Sequence, residues 1–152
     1  MDMAQKITPF LMFNDQAEEA MELYTSLFAN SRIVRKMPGP DGKVMGGSIE
    51  IDGERINMYN GGPSFKFEQG MSLMVRAETQ AEIDRLYDGL AADGGEAQPC
   101  SWVVDKFGVS WQIVPTVLLR GLSDPETSAR VAEAMFKMHK IIVADIEAAA
   151  AG

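Results

Sequence analysis

The side chains here that most readily carry nucleophilic or acid–base chemistry are few. There is one cysteine, Cys100, and one histidine, His139. A thiol nucleophile needs a neighbouring base or a positive field to become a thiolate. The only imidazole lies far downstream and no motif folds it back, so Cys100 reads as a small buried apolar residue. Asp105 and Lys106 form an adjacent acid and base. Consecutive residues of a strand face opposite sides, which suits turn formation before Gly108 better than joint work on one substrate. One Cys and one His fall short of the ligand count of a Cys/His zinc site. A single cysteine also forms no internal disulfide, in keeping with a reducing compartment.

The elements that would position a site are legible in the spacing of apolar residues. Ile7–Phe13 is a run of strand length, followed by Asn14 and Asp15 as candidate helix N-caps. Ala17, Ala20, Met21, Tyr24, Leu27 and Phe28 then recur at helical spacing. Three strand-like pieces follow: Ser31–Met37, Lys43–Ile51 and Glu54–Tyr59. The last two are joined by Asp52-Gly53, a strong hairpin signal because glycine accepts positive φ. Asn60-Gly61-Gly62-Pro63 closes this stretch in a loop.

The same order begins again at Ser72–Arg76. Thr79-Gln80-Ala81-Glu82 is a capping box, and the helix that it opens carries Ile83, Leu86, Tyr87 and Leu90 on one face. Glu96–Pro99, Ser101–Asp105 and Val109–Val114 complete a second set of short strands. Gln16-Ala17-Glu18 recurs as Gln80-Ala81-Glu82, and Leu23-Tyr24 with Leu27 recurs as Leu86-Tyr87 with Leu90. Two copies of one module are therefore expected, covering about 5–62 and 70–115 within a single domain of 1–115. Residues 116–152 form a helical extension. There Asp124-Pro125 predicts an N-cap and first turn, and Val131, Met135, Met138, Ile142 and Ile146 form the apolar stripe of one long helix. That stripe either covers a partner subunit, as in a homodimer, or packs on its own sheet. His139 falls on or beside it.

A net charge of −8 with no cluster of Lys and Arg disfavours nucleic acid and anionic membranes as partners. No apolar run reaches the roughly 20 residues of a membrane span, and Met1–Lys6 lacks the pattern of a signal peptide. A cytoplasmic location is expected. The 11 methionines suit an adaptable apolar pocket or simple core filling.

Three stretches carry a family signature. They are Thr8-Pro9-Phe10-Leu11-Met12-Phe13 leading into Ala17-Glu18-Glu19-Ala20 with Tyr24, then Asn60-Gly61-Gly62-Pro63 with Phe65-Lys66-Phe67, and finally Trp102-Val103-Val104-Asp105-Lys106-Phe107-Gly108-Val109-Ser110-Trp111-Gln112-Ile113-Val114-Pro115. Together they resemble the PhnB-like branch of the glyoxalase/bleomycin-resistance (vicinal oxygen chelate) superfamily, over nearly the whole chain. The resemblance implies an α+β fold in which two βαβββ modules form a curled mixed sheet around a cup, plus a C-terminal helix. Within Glu54–Tyr59, Asn57 and Tyr59 share the face opposite Ile56 and Met58. Thr8, Phe10, Asn57, Tyr59, Met74, Trp102 and Gln112 are the expected contacts of a small, partly apolar organic ligand in that cup.

Metal-dependent members of this superfamily place one His or Glu ligand on each of four strands. The corresponding positions here are Thr8, Asn57, Gly70 or Met71, and Gln112. A hydroxyl, two amides and a residue without a donor side chain offer no charge to offset desolvation of a divalent ion, so no metal and no cofactor are expected. Members of this branch often carry the label 3-demethylubiquinone-9 3-methyltransferase. Neither Gly46-Gly47 nor Gly61-Gly62 lies between a strand and a helix, where a nucleotide-like cofactor would be cradled. A metabolite enzyme (lyase, isomerase or transferase) and a dimeric interaction protein are the alternatives.

Overall fold

The computed structural model describes residues 5–152. The chain divides into two compact units, Met1–Lys66 and Phe67–Gly152. Met1–Ala4, part of the segment read for a signal peptide, lie outside the described residues.

In the first unit the order is β1 (Phe10–Phe13), α1 (Ala17–Leu27), β2 (Ser31–Pro38), β3 (Val44–Ile51) and β4 (Glu54–Asn60). The sheet runs β1-β4-β3-β2, with β1 parallel to β4 and the other pairs antiparallel. Leu11, Phe13, Ile49, Ile56 and Met58 are buried with Ala17, Ala20, Met21 and Tyr24 of α1. At the hairpin, Asp52 (φ 48) and Gly53 (φ 86) both take positive φ, as a two-residue turn with the twist of the sheet demands.

The start of α1 departs from the local expectation. Gln16 occupies the N-cap without a side-chain bond, and neither Asn14 nor Asp15 caps the helix. Asn60, at the far end of β4, accepts from the Ala17 amide instead (2.8 Å). The free first-turn amide is met from across the sheet.

The second unit repeats the order with β5 (Leu73–Arg76), α2 (Gln80–Ala91), β6 (Glu96–Ala97), β7 (Trp102–Val104) and β8 (Ser110–Val114) in a sheet β5-β8-β7-β6. The capping box forms, with the Glu82 amide donating to the Thr79 hydroxyl (3.2 Å). Ile83, Leu86, Tyr87 and Leu90 are buried as the spacing predicts.

The extension is three helices rather than one long one: α3 (Thr116–Ser123), α4 (Ser128–Phe136) and α5 (Val143–Ala151). Asp124 closes α3 and starts a turn, so α4 begins later than Asp124-Pro125 predicts. The break between α4 and α5 has tertiary causes. The Cys100 and Ser101 amides donate to the Met138 and His139 carbonyls (2.9 and 2.8 Å). The Gln80 side chain donates to the Ile141 carbonyl (3.0 Å) and accepts from the Val143 amide (2.8 Å). Lys140 pairs with Asp84 and Asp88 (3.2 and 2.8 Å). Backbone groups that a continuous helix would use are bound elsewhere. Val131 and Ile146 of the apolar stripe are buried with Val114, Leu118 and Ile141, and Met135 and Met138 pack against them. Most of the stripe is thus spent inside its own unit. No helix among the described residues is long and apolar enough to cross a membrane.

Candidate functional site

In the first unit the face of the sheet turned away from α1 is built from rows of paired residues. Phe10 stands opposite Asn57, Asn57 opposite Ser48, and Ser48 opposite Arg35. A second row sets Arg55 opposite Glu50 and Glu50 opposite Arg32. Strand alternation alone puts Arg55 and Asn57 on this face, since Ile56 and Met58 between and beyond them are buried on the other.

Arg35 reaches the face by a different device. A register shift between Ile33 and Arg35 sets one extra residue, Val34, into β2. Without this bulge Arg35 would fall opposite Gly47, on the α1 side where Lys36 now reaches Glu18 (3.0 Å) and Glu22 (3.4 Å). The bulge in turn requires glycine at 47, because a Cβ there would collide with the Arg35 carbonyl oxygen.

These residues border a cavity of about 580 Å³ whose walls include Thr8, Phe10, Val34, Arg35, Met37, Ser48, Arg55, Asn57 and Met58. Phe10 is 56% exposed, a large apolar ring left uncovered on the sheet. The Ser48 hydroxyl donates to Asn57 Oδ1 (2.7 Å), so the Asn57 amide nitrogen stays available as a donor. Arg55 Nη2 lies 3.5 Å from Glu50 Oε2, and Glu50 also pairs with Arg32 at 3.6 Å. Arg55 Nε is buried without a hydrogen-bond partner among the described residues. Such a group costs about 1–3 kcal/mol until something accepts from it.

Thr8, Phe10 and Asn57 of the expected contacts therefore gather at one cavity. Tyr59 lies on the same strand face, two residues beyond Asn57, but does not border it. Sequence reading missed Arg55, Ser48 and Arg35. Arg55 was visible in the strand alternation; Arg35 was not, because the bulge depends on tertiary pairing.

In the second unit Met74, Gln112 and Trp102 form the matching row: Met74 pairs with Gln112, and Gln112 with Trp102. Trp102 borders a smaller cavity, about 270 Å³, with Gln69, Gln98 and Pro99. The Tyr87 hydroxyl holds this strand by donating toward the Gln98 and Trp102 carbonyls (2.9 and 2.8 Å). Burial pushes its pKa up. Met74 is exposed, and the Gln112 amide donates to the Ser72 hydroxyl (2.8 Å).

That register also moves one expected position. Phe10 pairs with Asn57 as Met74 pairs with Gln112, so the counterpart of Thr8 is Ser72 rather than Gly70 or Met71. In each unit these positions then carry one hydroxyl and one amide, Thr8 with Asn57 and Ser72 with Gln112, and Asn57 is engaged by Ser48 and Gln112 by Ser72. Among the described residues no three His, Cys, Asp or Glu side chains come together. Neutral donors, with both amides already hydrogen-bonded, do not fit a divalent cation. Nor does a nucleotide-like cofactor fit at the strand-to-helix turns, which read Asn14-Asp15-Gln16, Ala77-Glu78-Thr79 and Pro115 and contain no glycine.

Asp105 is structural. It is 2% exposed; Oδ1 accepts from the Phe107 and Val109 amides (2.9 and 3.0 Å) and Oδ2 from the Trp111 indole (2.9 Å). The backbones at Cys100 and at Met138-His139 meet, against the expectation that nothing joins them. His139 is exposed in the loop after α4, not on a helix stripe.

No curated protein matches this chain in sequence. Among solved structures it is similar to the PhnB protein of Bacillus cereus, which carries a 3-demethylubiquinone-9 3-methyltransferase label (37% identity, 73% of this chain, 99% of that one, TM-score 0.65). A glyoxalase/bleomycin resistance protein from Albidiferax ferrireducens T118 (15%, 73% and 99%, TM-score 0.52) and the fosfomycin resistance protein FosX of Listeria monocytogenes (14%, 74% and 92%, TM-score 0.54) share the fold. The family model described as 3-demethylubiquinone-9 3-methyltransferase matches residues 5–114. With βαβββ order seen in each unit, the chain belongs to that family, on the glyoxalase/bleomycin-resistance fold.

Proposed function

We propose that this protein binds a small, partly apolar organic molecule, without a metal ion, in the cavity of its first unit. The observation that carries this is the lining itself. Phe10, Val34 and Met37 supply an apolar wall, while Thr8, Ser48, Asn57 and two arginines supply a few oriented polar groups. A volume of about 580 Å³ lies in the range of small-molecule sites. A cytoplasmic homodimer completes the reading. The dimer is supported by Phe136 and Ile142, which remain exposed on the extension.

The family's label makes transfer of a methyl group the second reading. No His, Cys, Asp or Glu borders the cavity, so a substrate processed there would have to bring its own base.

Native mass spectrometry of the purified full chain, beside Asn57→Ala, tests the binding reading. A small-molecule adduct on the parent chain that is lost or weakened at least ten-fold in the folded variant is the expected result. An adduct retained equally by Asn57→Ala would reject the cavity as its site.

A further inference from the structure

We infer that the first-unit cavity selects ligands carrying an oxyanion, such as a carboxylate or a phosphonate of like size, on a small apolar body. This rests on the binding reading above and adds the chemical class. The first ground is charge. In a chain of net charge −8, the charged residues of this lining are Arg35 and Arg55, and no carboxylate is among them. The second is unspent donor capacity. Arg55 Nε is buried without a partner among the described residues, and its Nη2 contact with Glu50, at 3.5 Å, is at the outer limit of a hydrogen bond. Arg35 Nη2 has the thioether sulfur of Met37 at 2.9 Å, and sulfur is a weak acceptor. The third is how the strand is built. The bulge at Val34 and the close approach at Gly47 together bring Arg35 onto the cavity face. A planar guanidinium matches the two oxygens of a carboxylate or phosphonate and is weakly hydrated, so it binds such groups well when partly buried. Phe10, Val34 and Met37 offer the surface for the apolar body.

The test uses amide-resolved NMR titration of the full chain with benzoate, with phenylphosphonate, and with benzamide, a neutral ring of nearly the same shape as benzoate. Benzoate and phenylphosphonate should shift the amides of Phe10, Ser48 and Asn57 and bind at least ten-fold more tightly than benzamide. Arg55→Gln should weaken both anions ten-fold or more and leave benzamide unchanged. Arg35→Gln, at an exposed position, should do the same and guards against a folding defect at Arg55. Equal binding of benzoate and benzamide, or anion binding unaltered in both variants, overturns the oxyanion assignment while the cavity stands. No shift at these amides with any probe removes the cavity reading and the inference together.

Discussion

Replacing Asp105 by Ala should destabilise the protein by about 3–5 kcal/mol without touching the proposed ligand site. The carboxylate accepts three hydrogen bonds at 2.9–3.0 Å. Two of its donors, the Val109 amide and the Trp111 indole, belong to residues only 4% and 1% exposed. Water cannot readily replace the lost acceptor there, and each orphaned donor costs about 1–3 kcal/mol. The partly exposed Phe107 amide adds less. For a chain of this size that corresponds to a fall of roughly 6–20 °C in melting temperature. Asp105→Asn separates the contributions. Its oxygen can still serve the Phe107 and Val109 amides, but its NH2 then faces the indole N–H, donor against donor, for a loss of about 1–3 kcal/mol. Urea unfolding followed by tryptophan fluorescence, with calorimetry alongside, measures both. An Asp105→Ala variant within 1 kcal/mol of the parent, or an Asn variant as damaged as Ala, would refute the reasoning. Altered ligand affinity in the folded Asn variant would return Asp105 to the list of functional groups.

Gly47→Ala should push the Arg35 carbonyl away and undo the bulge, costing about 1–3 kcal/mol by overpacking and weakening anion binding as Arg35→Gln does; unchanged stability and binding would show that the bulge does not depend on glycine. Glu78 ties β5 to α3 from outside the helix, accepting from the Thr116 hydroxyl (2.8 Å) and amide (3.0 Å). Those bonds, the hydroxyl's first, hold its pKa below the ordinary 4.5. A depressed carboxylate adds stability above the unfolded value and loses it as pH falls through the lower, folded value. The melting temperature of the parent should therefore exceed that of Glu78→Gln near neutrality, with the gap closing below pH 4.5; a gap independent of pH would contradict this.

Much of the fold was legible because it follows from local rules. The Asp52-Gly53 turn, the Thr79 cap and the alternation of Ile56 and Met58 with Asn57 each depend on residues a few positions apart. So does the helical face Ile83, Leu86, Tyr87 and Leu90, and the family signature set the order of strands. The expected contacts Phe10 with Asn57, and Met74 with Trp102 and Gln112, fell into two rows because each pair shares one strand parity.

What lay beyond sequence reading depends on residues far apart in the chain. Asn60 caps α1 in place of Asn14 or Asp15 because only the closed sheet brings it to the Ala17 amide. The tail breaks at Lys137–Ile142 because Gln80, Cys100 and Ser101 take hydrogen bonds that a lone helix would keep. The chemistry of the cavity follows the same division. Phe10, Asn57 and Arg55 could be chosen from strand alternation, whereas the second positive charge, Arg35, could not. A single inserted residue in β2, stabilised by the missing side chain of Gly47 on the next strand, decides that Arg35 faces the cavity instead of α1.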